Sequence, residues 1–419
     1  MRAGPSQEEI RRHNLGVLLR SVHVHGATSR AELTASLGLN RSTIGALTAE
    51  LAAAGLVTEE IPRDRGRAGR PSLVVRPVSQ MVYVLAFAIE ADRVTAARVG
   101  LGGLVLDRVE APRRPGPGPL DEVVAPLAAF ARQMCHAAPE GSRHIGTGAA
   151  ITPIVRDRDG QVRPRAYGSW ADDPLSTALA EAVGQATRSD SPITRLGTAD
   201  LAALAEHTRG VALGCANVVY LHGDAGIGGS IVAAGRPLTG HGGNGGEVGH
   251  MVVNPAGKPC GCGSRGCWET EVGEQALLVA AGRQIGTGAP GVSAVLDAAG
   301  RGDAEAQAAV RQVGDWLGFG VANLVNIFNP EMVVFGGTLR EIYLASAAQV
   351  RSRLNRTGLP AYREHVRLRT SALGNDAPLL GAAEAAFEQL LADPLADVAG
   401  TPLTGRATGP AQPAESGLS

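Results

Sequence analysis

His250, Cys260, Cys262 and Cys267 fall in one short stretch, and they are the residue types that close a tetrahedron around zinc. Three of the five cysteines lie here, and a Cys-x-Cys pair is too short for an easy mutual disulfide, so the cluster reads as a metal site. Gly261, Gly263 and Gly266 let the chain wrap tightly around an ion. With no acid placed to activate a water, such a site is structural. The competing reading is a set of small buried thiols. Two carboxylates flank the cluster: Glu247 in the Gly-rich stretch Gly242–Met251, and Glu269 after Trp268. Held close by a rigid site they suit sugar hydroxyls, because an ionised carboxylate accepts hydrogen bonds in more than one direction. As isolated residues they read equally as solvated loop charges.

A different chemistry is offered near the start of the chain. Arg41, Ser42 and Thr43 can bond to bases or phosphates, and Asn40 before them is a good helix N-cap. The helix they open has its apolar face at Ile44, Leu47, Leu51 and Ala54 and ends at Gly55. Ahead of it, Leu15, Leu18, Leu19 and Val22 mark one amphipathic helix. Ser29-Arg30-Ala31-Glu32 is a capping box that starts another, stopping near Gly38. Leu56–Thr58 and Leu73–Val75 then read as short strands around the loop Pro62–Pro71, where Arg63, Arg65, Arg67 and Arg70 face a single Asp64. Three short helices with a tight turn and a basic wing outline a winged helix-turn-helix, whose third helix enters the major groove. Wing residues such as Arg67 and Arg70 suit phosphates or a narrow minor groove. A small helical protein-binding module is the alternative, and Gly45 either admits a close approach to DNA or has no role.

Charge favours the first of these. The 419 residues carry a net charge of −1, yet residues 1–80 hold eleven Arg against seven acids and the remainder is acidic. A basic head on an acidic body points to nucleic acid as the partner of the head. The longest apolar run, Met81–Ile89, is far too short to span a bilayer, and Met1–Ile10 lacks the apolar stretch of a secretory signal. A cytoplasmic protein with no membrane partner is therefore expected. From Met81 onward the pattern is α/β. Strands are expected at Met81–Ile89, VTAARVGLGG and GLVLDRVEA, then a helix at Asp121–Ala138 and a β-rich stretch at Asn217–Ala234. Helices at Glu271–Arg283 and Asp303–Asn326 precede a buried strand at Met332–Phe335. After about Pro394 the composition is that of a disordered tail, so residues 1–80, 81–394 and 395–419 are the expected divisions.

In this order the features resemble the ROK family, which groups repressors, open reading frames and sugar kinases, over residues of about 10 to 392. The most specific stretches are GGEVGH (Gly245–His250), CGCGSRGCWE (Cys260–Glu269) and LGFGVANLVNIFNPEMVVFGG (Leu317–Gly337). The resemblance implies a two-lobed actin-like ATPase fold, with lobes at about 81–195 and 196–378 and the last helix returning to the first lobe. Repressor members add an N-terminal winged helix-turn-helix. It further implies structural Zn2+ on His250, Cys260, Cys262 and Cys267, and a sugar or sugar phosphate effector held by Glu247, His250 and Glu269. A double-stranded DNA operator and a homodimer or homotetramer follow from the repressor branch. His250 can serve metal and sugar together because its ring nitrogens are distinct.

Three departures separate the chain from the kinases of that family. Where these have an Asp-x-Gly-Gly-Thr stretch, this chain has Ala88-Ile89-Glu90-Ala91-Asp92, whose acids are expected to repel phosphate. The second phosphate loop reads Asp224-Ala225-Gly226 in place of Gly-Thr-Gly. Gly197-Thr198 stands where the kinases' Asn-Asp pair supplies the base and grips the far side of the sugar. No catalytic residue is expected, and the chain reads as a kinase-dead, sugar-controlled transcriptional repressor. An active ATP-dependent sugar kinase and an effector-independent DNA binder are the alternatives. Asp200, two positions further on, could partly compensate, though on a helix it is expected to face another way, and Trp170 reads as core rather than as a platform for a sugar ring.

Overall fold

The stripe Leu15, Leu18, Leu19 and Val22 is buried along one face of α1 (Gln7–His25). The structure is a computed structural model that describes residues 6–61, 72–90, 92–113, 119–151, 155–156, 162–163, 174–188, 193–224, 226–243, 245–286 and 288–396. After α1 come β1 (Thr28–Ser29), α2 (Arg30–Leu37), α3 (Arg41–Ala53), β2 (Val57–Glu60) and β3 (Val74–Pro77). Ser29 and Glu32 exchange both bonds of the capping box at α2, and Asn40 accepts from the Thr43 amide at α3. Gly38 ends α2 in the left-handed region (φ 67°) and turns the chain into α3. Strands β2 and β3 pair antiparallel, slightly later in the chain than their expected segments, and β3 also pairs with β1, a strand too short to leave a pattern. Arg63, Arg65, Arg67, Arg70 and Trp170 lie outside the described residues, as does the chain from 397 to 419.

In the body, β4 (Val82–Ile89), β5 (Arg93–Gly100) and β6 (Leu104–Pro112) form an antiparallel meander. The chain returns through α4 (Asp121–Ala137) to β7 (Arg143–Ile151). The short pair β8 (Val155–Arg156) and β9 (Val162–Arg163) and the helix α5 (Pro174–Thr187) then lead to β10 (Ile193–Gly197). The sheet order is β10-β7-β4-β5-β6, with β7 parallel to both β4 and β10. All of β4 is buried, as a strand covered on both faces must be. Next, α6 (Thr198–Arg209) leads to β11 (Val218–Gly223), β12 (Ile227–Ala233) and β13 (Arg236–Pro237), a second antiparallel meander. The helices α7 (Trp268–Glu271), α8 (Glu274–Ala280), α9 (Gly288–Gly300) and α10 (Ala304–Phe328) precede β14 (Met332–Gly337). Then α11 (Thr338–Thr357) and α12 (Pro360–Arg363) lead to β15 (Arg367–Thr370), and α13 (Ala377–Ala392) follows. The order β13-β12-β11-β14-β15 repeats the topology of the first sheet, three meandering strands extended by two parallel ones.

One expected element is corrected. The helix over Glu271–Arg283 is broken, because Gly273 has φ 101° and separates α7 from α8. Among the described residues no helix is long and apolar enough to cross a membrane.

Helix α13 binds the parts together. A Cβ on Gly16 of α1 would stand 2.6 Å from the Leu391 carbonyl oxygen, one on Gly148 of β7 1.9 Å from that of Ala382, and one on Gly381 1.8 Å from that of Leu201 in α6. These backbones touch with no room for a side chain. Beside them lies a buried polar cluster. The His23 ring accepts from the Gly102 amide at Nδ1 (3.0 Å), so its proton is on Nε2, which donates to Glu384 at 3.0 Å. Arg209, at the end of α6, also donates to Glu384, and to the carbonyls of His23 and Gly102 at 3.0 Å each. Burial pulls His23 below its ordinary range even beside a carboxylate. Burial alone would raise Glu384, but its bond with His23 and the charge of Arg209 outweigh burial and lower it.

Both groups therefore favour the folded state at pH above their unfolded values, and that stability is lost as the pH falls. For His23 the loss starts below about pH 6.5. Denaturant titration between about pH 5 and 8 should show a stability slope that His23→Gln flattens. Equal slopes in the two proteins would refute the assignment. Glu384→Ala, which strands Arg209, should cost about 3–5 kcal/mol near neutral pH.

Candidate functional site

The Cys loop is built by short-range backbone pairing. The Cys260 amide bonds to the Ser264 carbonyl, the Gly266 amide to that of Lys258, and the Trp268 amide to that of Met251. Gly266 (φ 69°) is indispensable to this closure, since a Cβ there would stand 1.6 Å from the Asn254 carbonyl oxygen. Trp268 anchors the loop to α10: it is fully buried, and its indole N–H donates to the Trp316 carbonyl at 2.9 Å. The result brings His250, Cys260, Cys262 and Cys267 together, with their donor atoms all within 4.8 Å of one another. Cys262 and Cys267 stand 3.6 Å apart and Cys260 lies 3.7 Å from Nδ1 of His250. Tetrahedral zinc with Zn–S near 2.3 Å sets such edges at roughly 3.7 Å. Burial drives the Cys260 and Cys267 thiols upward, so a bound cation is what would hold them as thiolates. The donor set thus fits a metal ion. Cys135 and Cys215 lie elsewhere, beside Tyr83 and Arg367.

The same loop gathers the two carboxylates. Glu269 accepts from Cys260 at 2.9 Å and lies 3.5 Å from Nδ1 of His250, while Glu247 lies 3.7 Å from Nε2. One imidazole face therefore meets the thiols and the other meets Glu247. The second oxygen of Glu269 reaches under the turn between β11 and β12, 2.6 Å from where a Cβ on Gly226 would stand. Asp200, in the first turn of α6, is raised above its ordinary range, first by burial and further by the charge of Glu247.

On the side where a kinase would hold phosphates, the expected repulsion is redistributed. Glu90 is paired with Arg93 and so contributes less than its formal charge. Glu274 is raised first by burial and further by the charges of Asp224 and Asp92. His222, buried at the end of β11, is pushed down to about 4 and is neutral at physiological pH, with Nδ1 unpartnered. Thr198 occupies the second position of Gly197-Thr198 at the start of α6 and provides no carboxylate.

In the head, Arg41 and Ser42 are exposed on the first turn of α3, and Thr43 is half-buried. The Ser42 hydroxyl donates to Asn40 at 2.7 Å. A Cβ on Gly45 would stand at an ordinary contact distance, 3.4 Å, from the Arg30 guanidinium of its own head, and Arg30 in turn forks onto Glu59.

Comparison with known proteins places these features in a family. The sequence model described as the ROK family matches residues 89–389. The xylose repressor of Bacillus spizizenii is 25% identical over 388 residues, covering 92% of this chain and 97% of the repressor. The N-acetylmannosamine kinase of Escherichia coli O157:H7 is 32% identical over 314 residues, covering 71% of this chain and 96% of the kinase. Among solved structures, a ROK family transcriptional regulator described as a homolog of the E. coli MLC protein is 26% identical, with a TM-score of 0.69, covering 92% of this chain and 98% of that one. With the match running from the end of β4 into α13, the chain belongs to the ROK family.

Proposed function

We propose that this chain is a transcriptional repressor whose N-terminal head binds a DNA operator under the control of a carbohydrate held between the lobes. One observation carries the reading: likeness to a xylose repressor extends over 92% of the chain, and the head and the Glu247, His250 and Glu269 cluster both lie in it. Arg41, Ser42 and Thr43 contact the operator from the first turn of α3, and Arg67 and Arg70 add phosphate or minor-groove contacts. His250, Cys260, Cys262 and Cys267 hold zinc, which supplies a structural cross-link when bound. Fixed by that loop, Glu247, His250 and Glu269 accept from and donate to sugar hydroxyls. Phosphoryl transfer is absent, because residue 198 is a threonine that cannot act as the base and Asp92 and Asp224 oppose a nucleotide's phosphates. The chain acts as a homodimer or homotetramer, and effector binding shifts the lobes and so the spacing of two heads.

Thermal shift and calorimetry over a panel of sugars should find one that stabilises the protein, by about 2.7 kcal/mol at a hundredfold excess over Kd, with no ATP turnover. Robust phosphorylation of any sugar would sink the repressor-only reading, and stabilisation by none would favour an effector-independent DNA binder. Arg41→Ala should weaken operator binding by about 1–3 kcal/mol for a base contact, or lower the salt slope by about one for a phosphate. Unchanged affinity and slope would remove Arg41 from the interface. Cys262→Ser should lose about one equivalent of zinc by elemental analysis and the sugar response with it, while circular dichroism stays native. A retained sugar response in the zinc-free variant would refute the structural role of the metal in the effector site.

A further inference from the structure

We propose that Arg30, at the start of α2, reads a guanine in the major groove, that Glu59 of β2 is the buttress that aims it, and that Gly45 of α3 is small because the Arg30 guanidinium lies across it. The proposal rests on the operator reading above and deepens it. Beyond its first turn α3 has little with which to read a base. Its exposed residues there are Ala46, Ala49 and Ala53, whose side chains neither donate nor accept. Glu50 is turned to Arg11, 2.9 Å away. One turn in from Arg41, on the same flank of the helix, comes Gly45. Where a Cβ on Gly45 would stand, the nearest atom from outside the helix is Nη1 of Arg30 at 3.4 Å, so an alanine fits and a longer side chain would take the place of the guanidinium. Arg30 thus lays a charged donor on the recognition helix from the helix before it.

The hydrogen bonds of Arg30 decide what that donor can do. Nε and Nη2 donate to the two oxygens of Glu59 at 2.5 and 2.6 Å, so one edge of the guanidinium is taken up by a carboxylate and its plane is fixed. The backbone holds both partners in turn: the Arg30 amide donates to the Leu73 carbonyl, and Glu59 lies in β2 opposite Val75 of β3. A guanidinium has five N–H groups, and the fork onto Glu59 uses two of them. Those left include both on Nη1, the end that lies over Gly45. With the second one on Nη2 they form another fork, of the shape that matches O6 and N7 of guanine. A phosphate would match the same fork, but charge separates the two ligands. With Glu59 against it the pair is close to neutral, so a phosphate gains little by approaching, and the carboxylate repels it. A base edge carries no net charge and needs a donor in a fixed position, which the buttress supplies.

The test uses the full chain and a pool of duplexes with randomised centres, from which the wild type selects the duplex that then serves as the probe. Arg30→Ala and Arg30→Gln should bind that duplex about tenfold more weakly, with their loss of preference confined to one guanine in each half-site and the salt slope unchanged. Replacing this guanine by 7-deazaguanine, which lacks the N7 acceptor, should cost the wild type a similar factor and Arg30→Ala nothing, which a merely structural ion pair would not produce. Glu59→Gln keeps the arginine and frees its charge. It should lower the preference for the selected duplex over a scrambled one while binding the scrambled one as well or better. A loss in the Arg30 variants that is equal on both duplexes, with the salt slope lowered by about one, would make Arg30 a phosphate contact and overturn the proposal. Unchanged affinity in both variants would make the pair a structural tie and overturn it too, as would the lack of any guanine whose 7-deaza replacement weakens wild-type binding; the operator reading stands in each case. A wild type that selects no sequence from the pool overturns the operator reading itself.

Discussion

Glu384 is a carboxylate buried where three parts of the molecule meet, and the arrangement of the rest depends on its being satisfied. An unpaired charge at that depth would cost several kcal/mol. Its partners come from different elements: His23 from α1 of the head, and Arg209 from the end of α6. Neither partner is local to it, and each has further bonds that only the docked arrangement completes, His23 to the Gly102 amide and Arg209 to the carbonyls of His23 and Gly102. Apolar contact between α1 and α13 would tolerate a small slide. A buried ion pair with directed hydrogen bonds does not, so the cluster specifies how the head sits on the body.

Electrostatics also organise the cleft, in the opposite sense. At the junction each charge has its counter-charge; around the Cys loop and the ends of β4 and β11 carboxylates accumulate, with Glu90 compensated by Arg93. The Cys loop makes this accumulation possible. It holds Glu269 against Cys260 and His250, and sets His250 so that its second nitrogen meets Glu247. A metal there would neutralise thiolate charge, while Glu274 is raised by burial and by the charges of Asp224 and Asp92.

Much of the head was legible in the sequence because its signals are local. A capping box spans four residues, an N-cap acts on the amide three residues on, and a left-handed glycine closes its own helix; Ser29, Asn40 and Gly38 do these things in the structure. The metal-type cluster was legible for a related reason: His250 and the three cysteines are close in sequence, and the glycines among them permit the wrap. Longer-range features were not. His23 continues the apolar face of α1 and reads as core, and nothing near it reveals that its partner is Glu384, 361 residues away. The break at Gly273 was hidden by the apolar residues of α8, which carry a helical pattern across it.

Helix α6 shows how the two charge patterns meet. Asp200 at its start is raised by burial and by the charge of Glu247, and Arg209 at its end lies in the junction. Its two faces are packed differently. Leu201 is pressed carbonyl to Cα against Gly381 of α13, an interlock that cannot slide without a backbone clash. On the other face Ala202 and Ala203 meet Val218, Tyr220 and Val232 of the second sheet, where small side chains leave a smooth surface. Glu206 adds a directed tie on the side of the second sheet: buried in α6, it accepts from the Ser371 hydroxyl at 2.6 Å and from the Leu373 amide at 2.9 Å, just beyond β15. Helix α6 is thus fixed to α13 by backbone contact and to the second sheet by a satisfied buried carboxylate, whose removal would leave these donors unpaired.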